Sequence, residues 1–178
     1  MKKQIFIING PAGAGKDTFV SMVRAIVPSL NHSSVELVKE AAVILGWDGT
    51  NKSDKDRKFL SDLKILTTSY SDVIGKWMIK IAKNFLEDEI HEFLFFHIRE
   101  VDEIERFSKL LNAKTIVVVR DGVDPNQSNP ADANVLNYDY DIIIRNDGSL
   151  GDLKTKAERF ASIYSLDYGN SREEITDN

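Results

Sequence analysis

The chain contains no cysteine. That excludes disulfides, thiolate nucleophiles and cysteine-based metal sites, and it fits a cytoplasmic protein. Long hydrophobic runs are also missing: no apolar stretch reaches the roughly 18 residues that a membrane span needs. The opening Met1-Lys2-Lys3-Gln4, followed by an apolar run, has the outline of a signal peptide, but the run stops at Asn9-Gly10. An h-region takes about 7–15 residues, so the segment reads as a buried first strand. Positive charge is not in surplus either. The formal net charge is −5 over 178 residues, which argues against broad electrostatic binding to nucleic acid. A local cationic pocket for a phosphorylated small molecule remains open.

What is present describes a globular domain. Hydrophobic residues make up 42% and charged residues 29%, enough apolar material for a core and too little charge imbalance for disorder. The continuous run Ile5–Ile8 suits a strand buried on both faces. Phe93 to Ile98, Lys114 to Arg120 and Asp141 to Ile144 read the same way. Helical spacing marks the stretches up to Pro28, Val35 to Trp47, Val101 to Leu111 and Leu150 to Ile163. Between Ser53 and about Glu89 two helices are expected, broken near Thr68 to Ser71, with Ser53 and Asp56 as a helix start. Strands alternating with helices predict an α/β fold, a parallel sheet flanked by helices in three layers. Ligands in such sheets bind at the carboxyl ends of the strands. The domain is expected over residues 1–166, and the tail, 167–178, is polar and expected to fray.

Residues 10 to 18 read Gly-Pro-Ala-Gly-Ala-Gly-Lys-Asp-Thr. Gly10, Gly15 and Lys16 match G-x-x-x-x-G-K, placed after a buried strand and before an amphipathic helix, as a phosphate-binding P-loop requires. In that reading the backbone of Gly10, Ala12, Gly13, Ala14 and Gly15 wraps phosphate oxygens, the helix adds its N-terminal dipole, and Lys16 supplies a point charge. A chance glycine-rich turn is the bland alternative. Asp17 follows the lysine where most P-loops have a hydroxyl, and Thr18 comes one later.

The Gly-Lys-Asp-Thr ending resembles the nucleoside monophosphate kinase group, in particular deoxynucleoside monophosphate kinases and animal-type phosphomevalonate kinases. The resemblance spans roughly residues 3 to 163. It implies a P-loop NTPase fold, ATP as phosphoryl donor with Mg²⁺, and a small phosphorylated acceptor, with no nucleic-acid or membrane partner. The acceptor is expected to be a nucleoside monophosphate, with a phosphate ester such as phosphomevalonate as alternative. A nucleotide-binding protein with little turnover is the alternative from another class. Asp17 then either holds Mg²⁺ or serves as a first-turn acid of the helix.

In the related kinases the second strand closes with Asp, one residue, then Arg. Here His97-Ile98-Arg99 takes that place. Arg99 is expected to stabilise charge in transfer, or else to pair with Glu100 or Glu103. A lone histidine such as His97 reads first as a packed or solvated residue. The loop 121–137 corresponds to the family's lid and brings no arginine of its own, which leaves Arg120 as a further catalytic candidate. The turn at Asn146-Asp147-Gly148 resembles the segment beside the adenine base, so Asn146 is a candidate nucleotide contact. An ordinary turn capped by Ser149 is the alternative. Residues 31–89 fill the position of the acceptor-binding insertion. Lys39, Lys52, Lys55, Arg57, Lys58, Lys64 and Lys76 are candidate phosphate ligands there, Arg57 foremost because a guanidinium matches phosphate with two bonds. Solvated surface charge is the alternative for each. Tyr70 and Trp77 either stack on a base or pack, with packing favoured.

Overall fold

A computed structural model describes residues 3–50, 53–123, 135–165 and 173–175. The chain divides into two compact units, residues 1–31 with 88–178, and His32–Glu87. The elements in chain order are β1 (Gln4–Asn9), α1 (Lys16–Arg24), β2 (Ser29–Ser33), α2 (Glu36–Ile44), α3 (Asp54–Ser71), α4 (Val73–Glu87), β3 (Phe93–His97), α5 (Val101–Leu111), β4 (Lys114–Val119), a 3₁₀ turn at Val135–Asn137, β5 (Ile142–Arg145), α6 (Leu150–Ser165) and β6 (Glu173–Ile175).

One six-stranded sheet runs in the order β2-β3-β1-β4-β5-β6. β1 pairs in parallel with β3, Ile8 opposite His97, and with β4, Asn9 opposite Val117. β4 and β5, and β5 and β6, are parallel as well. The sequence reading has four strands and misses the two at the edges. β2 reads Ser-Leu-Asn-His-Ser and β6 reads Glu-Glu-Ile. An edge strand is not sandwiched between two neighbours and two layers, so it lacks the continuous apolar run that marks β1, β3 and β4. The tail expected to fray thus supplies a strand at 173–175.

Alternation along the strands sorts the core into two faces. Phe6, Ile8, Phe93, Phe95, Ile116, Val118, Ile142 and Ile144 form one cluster with Phe19, Val20 and Val23 of α1 and Leu153, Ala157, Phe160 and Tyr164 of α6. Phe6 is fully buried at its centre, 5.2 Å from the Phe95 ring and 4.9 Å from Phe160. Burying one such ring contributes about 1.5–3 kcal/mol. α5 lies against β1 and β4 and buries Ile104 and Phe107, on the face carrying Ile5, Ile7, Leu94 and Phe96. The sheet therefore has helices on both sides. The helix after β1 takes one face and the helix after β3 takes the other. Since β1 and β3 are neighbours, their carboxyl ends flank a topological switch point, the place where ligands bind in sheets of this kind.

The His32–Glu87 unit packs α2, α3 and α4 together. A capping box starts α3: the Asp56 N–H donates to Ser53 Oγ and the Ser53 N–H donates to the Asp56 carboxylate. The break between α3 and α4 falls on Asp72, with φ of 50°, just beyond the predicted stretch. Trp77 sits edge-on to His32 at 5.7 Å, the packing reading of that residue, whereas Tyr70 is 84% exposed. Most of the expected lid loop, 124–134, and Lys52 lie outside the described residues.

Candidate functional site

β1 ends on Asn9, a buried amide that closes the apolar run Ile5–Ile8. Its side chain ties three segments together. Asn9 Oδ1 accepts from the Gly10 N–H at 2.8 Å, and Asn9 Nδ2 donates to Tyr140 Oη at 2.9 Å and to the Arg99 carbonyl at 3.2 Å. The first turn after β1, the chain leaving β3 and the approach to β5 are thereby held together. Sequence reasoning missed both Asn9 and Tyr140. The available signal was the amide itself, a polar group closing a buried run, which must find partners when buried.

Burial pushes the Tyr140 phenol up to about 12, against the pull of its bond from Asn9. In the unfolded chain it ionises near 10. Tyr140 thus adds stability that is intact below about pH 10 and lost as pH rises through 12. A spectrophotometric titration is expected to show one tyrosine ionising late, and Tyr140→Phe should remove that late step. Survival of the step in the variant would assign it to another tyrosine.

Residues 10–15 wrap the end of β1. Gly10 passes so near β4 that a Cβ on it would lie 2.5 Å from the Val118 carbonyl oxygen. Gly15, φ 96°, caps α1, and a Cβ there would strike the Asn146 side chain. Gly10→Ala should therefore cost about 1–3 kcal/mol, the usual scale of local backbone strain, read as a lower urea midpoint at unchanged slope. An unaltered midpoint would mean that β4 yields freely. Gly13 and Gly15 have positive φ and the intervening Ala14 does not. The loop is fastened twice: the Ala14 N–H donates to the Pro11 carbonyl at 3.2 Å, and Asn146 Nδ2 donates to the Ala14 carbonyl at 2.8 Å.

A cleft of about 390 Å³ lies over this loop, lined by Gly13, Gly15, Lys16, Asp17, Thr18, Arg120, Asn146, Gly148, Leu150 and Leu153. Its size falls in the range of small-molecule sites. Lys16 is half-buried and has no hydrogen-bond or ion-pair partner among the described residues. Asn146 is buried, with its backbone N–H on the Val119 carbonyl and its side chain on Ala14, so its amide braces the loop. The turn after it is capped as the simpler reading expected: Asp152 N–H donates to Ser149 Oγ, and Asp152 accepts from the Ser149 N–H. Arg120 is exposed at the end of β4 and reaches the cleft. Ala12 is exposed on the loop but does not line the cleft.

Arg99 sits on the β3 side, half-buried and outside the cleft lining, yet close enough that its charge and that of Lys16 both act on His97. His97 is largely buried, and burial pushes its imidazole down to about 4, with Lys16 and Arg99 adding to the effect and Asp17 opposing it. The ring is neutral at pH 7. His97 Nε2 lies 2.8 Å from Asn31 Oδ1, and Nδ1 lies 3.4 Å from the exposed carboxylate of Asp17. Arg57 is exposed on α3, in the helical unit. Lys58 there pairs with Asp62 at 2.8 Å, an i,i+4 surface pair.

No cluster of three or more histidine, aspartate or glutamate side chains able to hold a metal occurs among the described residues. No described helix is long and apolar enough to cross a membrane. Comparison of the chain with protein-family models found no match, and comparison with curated proteins likewise found none.

Proposed function

We propose that this protein is an ATP-dependent phosphotransferase of the (deoxy)nucleoside monophosphate kinase type, acting on a small phosphorylated acceptor. The observation that carries the reading is Lys16. A cation in the first turn of a helix opposes the helix dipole, and this one lacks a counter-charge among the described residues. Beside it the loop's alternating φ signs form the kind of concavity that binds anions. A polyphosphate supplies the missing negative charge.

In this reading the loop amides and Lys16 hold the β- and γ-phosphates, and Thr18 and Arg120 line the path of the chain of phosphates. Arg99 faces the transferring group from the β3 side of the switch point. The acceptor oxygen belongs to a phosphate and is already nucleophilic, so no general base is needed. The exposed carboxylate of Asp17 suits Mg²⁺, which takes one or two carboxylates and fills its shell with phosphate oxygens and water. When bound, that ion would neutralise charge on the β- and γ-phosphates. The neutral His97 at the end of β3 favours a second reading, a nucleotide-binding protein with little turnover, because a carboxylate is absent there.

ATP consumption measured with Mg²⁺ against a panel of nucleoside monophosphates and small phosphate esters separates the two. Turnover with one acceptor is expected. Tight ATP binding with no acceptor phosphorylated replaces the kinase reading with the second, and absence of ATP binding removes both.

A further inference from the structure

Bracing the loop uses only half of the Asn146 amide. The residue is 8% exposed and lines the cleft, and its Nδ2 donates to the Ala14 carbonyl at 2.8 Å. A carbonyl only accepts, so the amide has one orientation, with its nitrogen on the loop. Nδ2 carries a second proton and Oδ1 is an acceptor. Neither has a further partner among the described residues. Nor is Oδ1 sealed inside the protein: the sealed, unbonded side-chain atom among the described residues is Thr68 Oγ1. The unused half of the amide therefore opens on the cleft. The wall beside it suits a base rather than a phosphate. Lys16, Asp17 and Thr18 bring polar groups from the first turn of α1, whereas the turn after β5 and the start of α6 bring Gly148, Leu150 and Leu153. Leu150 is 67% exposed, an apolar surface that a planar ring can cover.

We propose that Asn146 selects adenine in the bound triphosphate, its second Nδ2–H donating to N7 and its Oδ1 accepting from the N6 amino group. The inference rests on the nucleotide reading above. It requires that Ala14 take the Nδ2 proton that points away from Oδ1, which leaves a donor and an acceptor side by side. Adenine presents the complementary pair, an acceptor at N7 beside a donor at N6, and asparagine reads that same edge in the major groove of DNA. Guanine keeps N7 but sets the O6 acceptor against Oδ1, and pyrimidines have no N7. A freely rotating amide could turn its NH₂ toward O6 of guanine. The bond to Ala14 prevents that turn, so the contact that braces the loop also fixes which base is read. A group already held at one end loses little freedom when the base arrives.

The test is calorimetric titration of the full chain, in Mg²⁺ and without acceptor, using ATP, GTP and 7-deaza-ATP, in which a C–H replaces N7. 7-deaza-ATP is expected to bind about 2- to 10-fold more weakly than ATP, the scale of one lost hydrogen bond. GTP should bind about 5- to 150-fold more weakly, the scale of a mismatched bidentate pair. Asn146→Ala should weaken all three by loosening the loop, and should also bring ATP and 7-deaza-ATP to one affinity. An amide that only braces would lower all three by a common factor and keep their ratios. Asn146→Asp serves if alanine leaves the chain unfolded. It lacks the N–H for N7 and keeps an acceptor for N6, so it should lose the 7-deaza gap and still disfavour GTP. Equal binding of ATP and 7-deaza-ATP to the parent chain, or a gap that survives in the variants, overturns the Asn146 assignment and spares the nucleotide reading. If none of the three nucleotides binds the parent chain, both fall.

Discussion

Lys16→Ala is expected to lower affinity for a non-hydrolysable ATP analogue by about 30- to 3,000-fold in calorimetric titration. The range follows from the roughly 2–5 kcal/mol lost when one partner of a hydrogen-bonded charge pair is truncated, at about 1.4 kcal/mol per decade. The same substitution should not harm the fold. Lys16 bonds no described residue, it stands at the start of α1 where the dipole disfavours a cation, and alanine is the better helix former. Without ligand the variant should match the parent or gain up to about 1 kcal/mol. The opposite signs of the two effects are the diagnostic. A lysine retained for packing would cost stability and leave affinity alone, and unchanged affinity would remove the phosphate cradle from the proposal.

For Arg99 the expected loss is in rate. Its carbonyl is held by Asn9, so the backbone from which the guanidinium springs is fixed at the switch point, and its charge is felt at His97 beside the loop. In the proposed transfer a cation there would stabilise charge that grows during the step more than charge already present in bound ATP. Arg99→Ala should reduce kcat by about 10²-fold or more, the scale of removing one preorganised donor, with ATP affinity nearly unchanged. Arg99→Lys keeps the charge, loses the planar fork and should not rescue the rate. Single-turnover kinetics with the best acceptor measures this step directly. Normal turnover in Arg99→Ala would make the residue a surface ion-pair partner.

The parts legible in the sequence are those with local signals. β1, β3 and β4 announce themselves as apolar runs because each is buried along its length, and β5 by its three consecutive isoleucines. The 10–18 loop is legible because glycine and lysine stand at fixed spacing between a strand and a helix. Ser53 and Asp56 predicted a helix start that is a full capping box. The polar edge strands β2 and β6 carry no such pattern, and only their pairing reveals them. Contacts that depend on register were also hidden. Asn9 and Tyr140 are 131 positions apart, and His97 reaches Asp17 because Ile8 and His97 are opposite each other in β1 and β3. Asn146 was singled out as a candidate nucleotide contact; its side chain grips the carbonyl of Ala14, an interaction that spacing could not suggest.

That grip bears on how fast a ligand can be captured. A glycine-rich loop left to itself samples many shapes, and only the fraction already concave would accept an anion, so apparent affinity would fall by that fraction. Here Asn146 holds the Ala14 carbonyl from behind while Gly15 leaves room for the amide to approach. On the proposed nucleotide-binding reading, the loop is braced before any encounter and little ordering entropy would remain to be spent on arrival. Capture should then follow a single bimolecular step whose observed rate climbs in proportion to ligand concentration, without the plateau that marks a slow rearrangement of the loop.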